Sequence, residues 1–167
     1  MKVYMQKITN AEFIFNNRVN LISPSGKPVK GYGFIRDLQG YDITSLITDD
    51  KLHELGRATM GNPEQGISWL TVKNLTTPNS EMPIDFMPPL FKDFARSAKD
   101  GYFKHVATEA YNILINYLRK SHEEIKELRA NARSQQSWDF HKIFGFSDKQ
   151  NGEYNSYAFM NELYYKL

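Results

Sequence analysis

The spacing of hydrophobic residues divides the chain into two parts of different character. Short apolar runs and alternating segments, rich in β-branched and aromatic residues, dominate the first half and predict strands such as Val29–Ile35 and Ile67–Val72. From about Tyr102 to Arg133, apolar residues recur at steps of three and four, which predicts one long helix. We therefore predict an α+β fold with a β-rich N-terminal half, a candidate small barrel, and a helical C-terminal half.

Weaker patterns complete this prediction. Thr48 and the acids after it are typical of a short helix start, and Pro89 can begin another helix that ends at Gly101. The aromatic segment Trp138–Phe146 predicts a short helix and a turn, and Tyr157–Leu167 predicts a last helix. A Thr- and Pro-containing stretch over residues 74–83 is the candidate linker between a domain at residues 1–80 and a domain at residues 81–167.

The stretch Lys30–Asp37 carries the clearest local chemistry. On a strand, Tyr32 and Phe34 share one face with Lys30 and Arg36, while the glycines between them lie on the other face. Aromatic rings flanked by cations can stack nucleic-acid bases and neutralise phosphates.

Residues 30–35 resemble the RNP1 strand of cold-shock domains, which are small OB-type barrels that bind single-stranded nucleic acid. Gly40–Ile43 follows at about the distance found in those domains, whereas Asp37 departs from the motif. The resemblance implies that Tyr32 and Phe34 stack bases and that Lys30 and Arg36 contact phosphates. The alternative is an ordinary sheet in which the aromatic rings are packed into the core.

A second candidate site lies on the predicted long helix. Basic residues at steps of three or four would share one face there and could follow a phosphate backbone: Arg119, His122, Lys126, Arg129 and Arg133. The alternative is a solvated helix face with ion pairs to neighbouring glutamates.

Composition narrows the classes of function. The formal net charge of the 167 residues is only +2, so binding to nucleic acid must use a local patch. The absence of cysteine excludes disulfides, thiolate catalysis and zinc–thiolate sites. The N-terminus lacks a signal-peptide pattern and no apolar run reaches the length of a membrane span, so we expect a cytoplasmic protein. The usage of Lys, Asn, Ile, Phe and Tyr is typical of AT-rich genomes, including those of large phages.

The sequence contains no recognisable catalytic motif. His105 and Glu109 could meet one helical turn apart, but two ligands do not make a metal site, and His141 beside Asp139 is typical of a structural histidine. We therefore expect a protein that is not an enzyme and has no cofactor, no metal and no small-molecule substrate.

The leading prediction is a small non-enzymatic nucleic-acid-associated regulator that acts in transcription or RNA handling and prefers single strands. The first alternative is a protein-binding effector, such as a phage protein that docks on and redirects host RNA polymerase. The second alternative is a virion or assembly component.

Overall fold

A computed structural model describes residues 12–22, 27–38, 42–75, 104–149 and 152–167. These residues form eight strands and two helices. In chain order they are β1 (Ile14–Ile22), β2 (Pro28–Asp37), β3 (Ile43–Asp49), β4 (Glu54–Met60), β5 (Ile67–Asn74), α1 (Lys104–Ser121), β6 (Glu127–Asn131), α2 (Gln135–Phe144), β7 (Ser147–Asp148) and β8 (Glu162–Lys166).

The strands form one open, mixed sheet in the order β1-β2-β3-β4-β5-β6-β8-β7. Strands β1 to β5 are joined in antiparallel sequence, β5 and β6 are parallel, and β8 is antiparallel to both of its neighbours. The predicted barrel with one long helix is therefore wrong, because the sheet continues from the N-terminal strands into strands of the C-terminal half and does not close.

Helix α1 covers one face of this sheet. Its apolar side, which includes Val106, Tyr111 and Leu118, is buried in one hydrophobic core with Ile47 of β3 and Leu55 of β4. Burial of this apolar stripe against the sheet is the main source of stability for such a helix.

The helix and β3 are also joined by a polar contact. The hydroxyl of Ser45 donates a hydrogen bond of 2.6 Å to the carbonyl of Ala110, so this buried serine is satisfied.

The helix predicted after Thr48 is replaced by a turn between β3 and β4. The carboxylate of Asp49 accepts hydrogen bonds from the backbone N–H groups of Lys51 and His53, at 2.9 and 2.8 Å. Leu52 has a positive φ of 67°, which a helix does not allow. The acid therefore stabilises a tight turn rather than the start of a helix.

The predicted long helix ends early, and its last part is a strand. Helix α1 stops at Ser121, and β6 follows within six residues. In β6 the buried positions Leu128 and Ala130 alternate with less buried ones, as in a strand with one covered face. The predicted last helix is also wrong, because β8 pairs with β6 and buries Leu163.

Two local predictions are confirmed. The strand expected at Ile67–Val72 is β5, and the aromatic segment contains α2, which begins after Ser134. The hydroxyl of Ser134 accepts a hydrogen bond of 3.0 Å from the N–H of Ser137 and caps that helix.

Other sequence predictions cannot be compared with the fold. The helix expected at Pro89–Gly101 and most of the linker lie outside the described residues, and the division into two domains stays a prediction. In the described ranges, neither helix combines the length and the apolar character that crossing a membrane requires.

Candidate functional site: a cleft between two parallel strands

The site forms where β5 and β6 separate. These parallel strands pair only from Ile67 with Glu127 to Trp69 with Arg129. Beyond that point β5 continues to Asn74 in contact with β4, and β6 continues to Asn131 in contact with β8. Both strands are held on their outer sides, so their facing edges diverge without a strand between them in the described part of the chain.

The diverging edges direct main-chain polar groups toward each other. On β5, the carbonyl of Trp69 and the N–H of Leu75 bond to the β4 side, and hydrogen-bonding direction alternates along a strand. The N–H and C=O of Val72 therefore face the opening. On β6, the N–H of Ala132 bonds to Asn161 on the β8 side, so the N–H of Asn131 faces the opening as well. An extended ligand that contains amide groups can bond to such edges.

The space between the strands is a cleft of about 550 Å³. It is bounded by β5, β6, α1, α2 and the segment before β8. Its lining consists of Trp69, Leu70, Thr71, Val72, Tyr111, Ala130, Asn131, Arg133, Ser137, His141 and Met160.

The first turn of α1 lies toward the carboxyl ends of the two strands. Helix α1 connects parallel strands, and its C-terminal end is joined to the start of β6 by a short turn at residues 122–126. The helix therefore runs back along the strands, and Tyr111, near its N-terminal half, lines the cleft. Ligands of open sheets bind at this edge, and the positive end of a helix there favours anionic groups.

Tyr111 and His141 form a buried hydrogen-bonded pair on the cleft wall. Nδ1 of His141 lies 2.7 Å from the carbonyl of Ser137, which only accepts, so Nδ1 carries the ring proton. Nε2 is then the acceptor for the hydroxyl of Tyr111, at 2.8 Å. The tautomer of His141 is thus determined by α2, and the phenol of Tyr111 is oriented by His141.

Burial keeps both members of this pair uncharged near neutral pH. It raises the pKa of the Tyr111 phenol well above its ordinary value. Burial also lowers the pKa of His141, although the hydrogen bond with the Ser137 carbonyl acts in the opposite direction. The pair supplies a neutral polar wall in an otherwise apolar part of the cleft.

The aromatic strand β2 lies away from this cleft, in the antiparallel part of the sheet. As expected, Tyr32 and Phe34 share a face, where they form edge-to-face contacts with each other and with Phe15, at centroid distances of 6.1 to 6.4 Å. Both rings are half-buried, and Lys30 is exposed. Arg36 lies 4.8 Å from the ring centre of Phe13 and forms an ion pair of 3.5 Å with Asp42.

Asp37, the position that departs from the RNP1 pattern, has a structural role. Its carboxylate accepts hydrogen bonds from the hydroxyl of Tyr117, at 2.7 Å, and from Nε2 of His122, at 2.6 Å. This contact ties the end of β2 to the end of α1.

The five basic residues expected on one helix face are not on one helix. Arg119 lies at the end of α1 near Tyr165, His122 and Lys126 lie in the following turn, and Arg129 is on β6 between Glu127 and Glu162. Only Arg133 lines the cleft. The predicted continuous stripe is therefore wrong, while the assignment of these residues and of Lys30, Tyr32, Phe34 and Arg36 as a binding site stays a prediction.

Sequence reasoning missed most of the cleft. Trp69 lies in the predicted strand Ile67–Val72 without a predicted role, and Tyr111 lies within the predicted long helix but is not a candidate site residue. His141 is predicted from sequence to be a structural histidine, and the structure places it in the lining of the cleft with buried hydrogen bonds to Tyr111 and Ser137. Within the described residues no group of three or more His, Asp or Glu side chains is arranged to hold a metal ion.

Comparison with known proteins gives results at the level of structure alone. No family model matches this sequence, and no curated protein sequence matches it. Similar solved structures include the N-acetyltransferase PseH of Campylobacter jejuni, at 12% identity over 77% of this chain and 70% of that chain, with a TM-score of 0.47. PseH in complex with acetyl coenzyme A matches at 11% identity over the same shares, with a TM-score of 0.46. A GNAT-family acetyltransferase of Staphylococcus aureus Mu50 matches at 11% identity, also over 77% and 70% of the two chains, with a TM-score of 0.47.

These findings correct the functional predictions. The similar structures are named as acetyltransferases rather than as cold-shock domains, and the open sheet differs from an OB-type barrel. The predicted cold-shock resemblance, the non-enzymatic role in transcription or RNA handling and the nucleic-acid partner are overturned. The expectations of a phage effector docking on host RNA polymerase, of an assembly component and of no small-molecule substrate are overturned with them.

Proposed function

We propose that this protein transfers an acyl group from an acyl-coenzyme A thioester to an amine. The observation that carries the proposal is the separation of β5 and β6, which opens a cleft of about 550 Å³ between two main-chain edges. The reaction class is that of the acetyltransferases with similar structures, while the support comes from the shape and the chemistry of this cleft.

The cleft suits the extended arm of coenzyme A. That arm contains two amide groups in a narrow chain, and it can exchange hydrogen bonds with the main chain of Val72 on one side and Asn131 on the other. Leu70, Ala130 and Met160 provide apolar contacts for its methylene groups. The phosphates at the end of the arm then extend toward the first turn of α1, where the helix dipole favours anions.

The thioester end of the arm lies beside Tyr111 and His141 on the wall of the cleft. An amine attacks the thioester carbonyl, the carbon–nitrogen bond forms, and the carbon–sulfur bond breaks. The phenol of Tyr111 stays protonated and donates its one proton to Nε2 of His141, so its oxygen remains available to accept a hydrogen bond from the attacking amine. We place the activity in the cytoplasm, because a sequence without cysteine suits a reducing compartment.

The test removes one main-chain donor from the cleft. Val72→Pro deletes the N–H that faces the opening, on a strand edge where proline is tolerated. Val72→Ala is the control, since it shortens the same side chain and keeps the N–H. By isothermal titration calorimetry with acetyl coenzyme A, we expect the proline variant to bind about tenfold more weakly than the alanine variant, as the loss of one hydrogen bond predicts.

Circular dichroism shows first that both variants are folded. Equal affinity of the two folded variants, or no binding of acetyl coenzyme A by the unmodified protein, would contradict the proposal.

A further inference from the structure

A second cleft of about 460 Å³ opens beside the first. The two clefts share Asn131, Arg133 and Met160, so they are continuous at the end of β6. The outer wall of the second cleft comes from Tyr154 and Phe159, in the segment between β7 and β8.

This outer wall is held in place by one buried asparagine. The side chain of Asn161 accepts a hydrogen bond from the N–H of Asn155 and donates one to the carbonyl of the same residue, both at 2.9 Å. Its own N–H donates to the side chain of Asn131, and its carbonyl accepts from Ala132. Residues 155–161 are therefore fixed to the end of β6, next to both clefts.

The same segment presents unusually exposed rings. Tyr157 and Phe159 are each 98% exposed, and Met160 is 37% exposed. Phe159 and Met160 line the second cleft, whereas Tyr157 does not. Exposed apolar groups beside a cleft are typical of a surface that binds a ligand.

Arg133 adds a positive charge at the junction of the two clefts. Its side chain is exposed and makes no ion pair within the described residues. A guanidinium in this position can bind a carboxylate through two parallel hydrogen bonds.

We propose that the second cleft is the acceptor subsite and that it takes a primary amine bearing both a carboxylate and an aromatic or large apolar group, as in an aromatic amino acid. The proposal rests on the proposed function. The carboxylate pairs with Arg133, the apolar group packs on Phe159 and Met160, and the amine points into the first cleft. The amine lone pair attacks the thioester carbonyl, the new N–C bond forms, the C–S bond breaks, and the coenzyme A thiol leaves with the proton that the amine loses.

The charge requirement is tested with two amines that differ only in the carboxylate. Acetyl transfer from acetyl coenzyme A is measured with L-phenylalanine and with 2-phenylethylamine. We expect the unmodified protein to prefer L-phenylalanine, and Arg133→Gln to lower kcat/KM for L-phenylalanine about tenfold or more while lowering kcat/KM for 2-phenylethylamine by a clearly smaller factor. Lys120→Gln is the control, because it removes an exposed cation in the last turn of α1 that lines neither cleft. It should leave kcat/KM unchanged for both amines.

The apolar requirement is tested with two rings in one segment. Phe159→Ala should raise the KM for L-phenylalanine about tenfold. Tyr157→Ala removes an equally exposed ring that lies outside the cleft and should leave this KM unchanged.

Three results would overturn the subsite: a preference for 2-phenylethylamine, equal losses for both amines in Arg133→Gln, or equal effects of the two ring substitutions. An increase in the KM for acetyl coenzyme A alone in Arg133→Gln would also overturn it, because the arginine would then serve the donor. Calorimetry with acetyl coenzyme A separates the two proposals. If acetyl coenzyme A binds and any of these results is found, only the subsite fails; if acetyl coenzyme A does not bind, the proposed function fails.

Discussion

Gly33 explains at the residue scale why the motif on β2 contains glycine. A Cβ atom built at this position would lie 2.2 Å from Cδ1 of Ile113, on the helix that covers the sheet. Ile35, two residues later on the same face, is buried in the core, while Tyr32 and Phe34 lie on the opposite face. The glycine is therefore needed for close packing of α1 rather than for access of a nucleic acid to the strand.

We expect Gly33→Ala to destabilise the protein by about 1–3 kcal/mol, because the added methyl group overlaps a buried side chain. Ile113→Val removes the overlapping Cδ1 atom and alone should cost about 0.5–1.5 kcal/mol. Urea unfolding of the two single variants and the double variant measures the coupling. The double variant should be clearly more stable than the sum of the two single losses predicts; simple additivity would show that this contact does not explain the glycine.

Sequence patterns predict part of this structure at the residue scale, but they do not predict why Gly33 or Asp37 is needed. Alternation correctly placed Tyr32 and Phe34 on one face and the glycines on the other. It could not show which face a helix covers, because Ile113 is about eighty residues away in sequence and the contact exists only in the fold. The role of Asp37 was hidden for the same reason, since Tyr117 and His122 are equally distant along the chain.

At the scale of elements, the junction between β2 and α1 depends on a histidine–aspartate contact. Partial burial of His122 by itself lowers its pKa, but hydrogen bonds to Asp37 and Glu124 outweigh this effect and raise the pKa above its ordinary value. Protonated His122 therefore stabilises the folded state. This contribution is fully present below the pKa of the unfolded chain, about 6.5, and is lost as the pH rises through the raised folded pKa.

The difference in unfolding free energy between the unmodified protein and His122→Gln should therefore shrink as the pH is raised from about 5.5 to about 8.5. The difference is the useful quantity, because His141 has a lowered pKa and contributes with the opposite sign in both proteins. Urea titrations at several pH values give the result. A difference that is constant, or that grows with pH, would show that the ion pair does not stabilise the junction.

The error in the long helix also belongs to this scale. Ile125, Leu128 and Ala132 satisfy a helical period, but Leu128, Ala130 and Ala132 satisfy a strand period equally well, and all four are buried. Pairing with β5 and β8 decides between the two. The spacing of apolar residues from Ile125 to Ala132 does not contain that information. Without β6, the sequence offers no pair of parallel strands from which to infer a cleft.

At the scale of the whole molecule, the proposed site is a property of topology rather than of a motif. It requires that β5 and β6 be parallel neighbours, that β4 and β8 hold their outer edges, and that α1 and α2 supply the wall with Tyr111 and His141. The strand β5 and the segment around α2 were predictable from sequence. Their convergence was not, because it depends on a crossover between distant strands.

The most direct test of the central claim is a titration of ¹⁵N-labelled protein with acetyl coenzyme A, followed by two-dimensional amide NMR spectroscopy. We predict that the largest chemical-shift changes occur at the diverging edges, in Val72 and Asn131, and on the adjoining walls at Tyr111 and His141. Shift changes confined to the aromatic face of β2, or no changes at millimolar ligand, would contradict an acyl-coenzyme A site between β5 and β6.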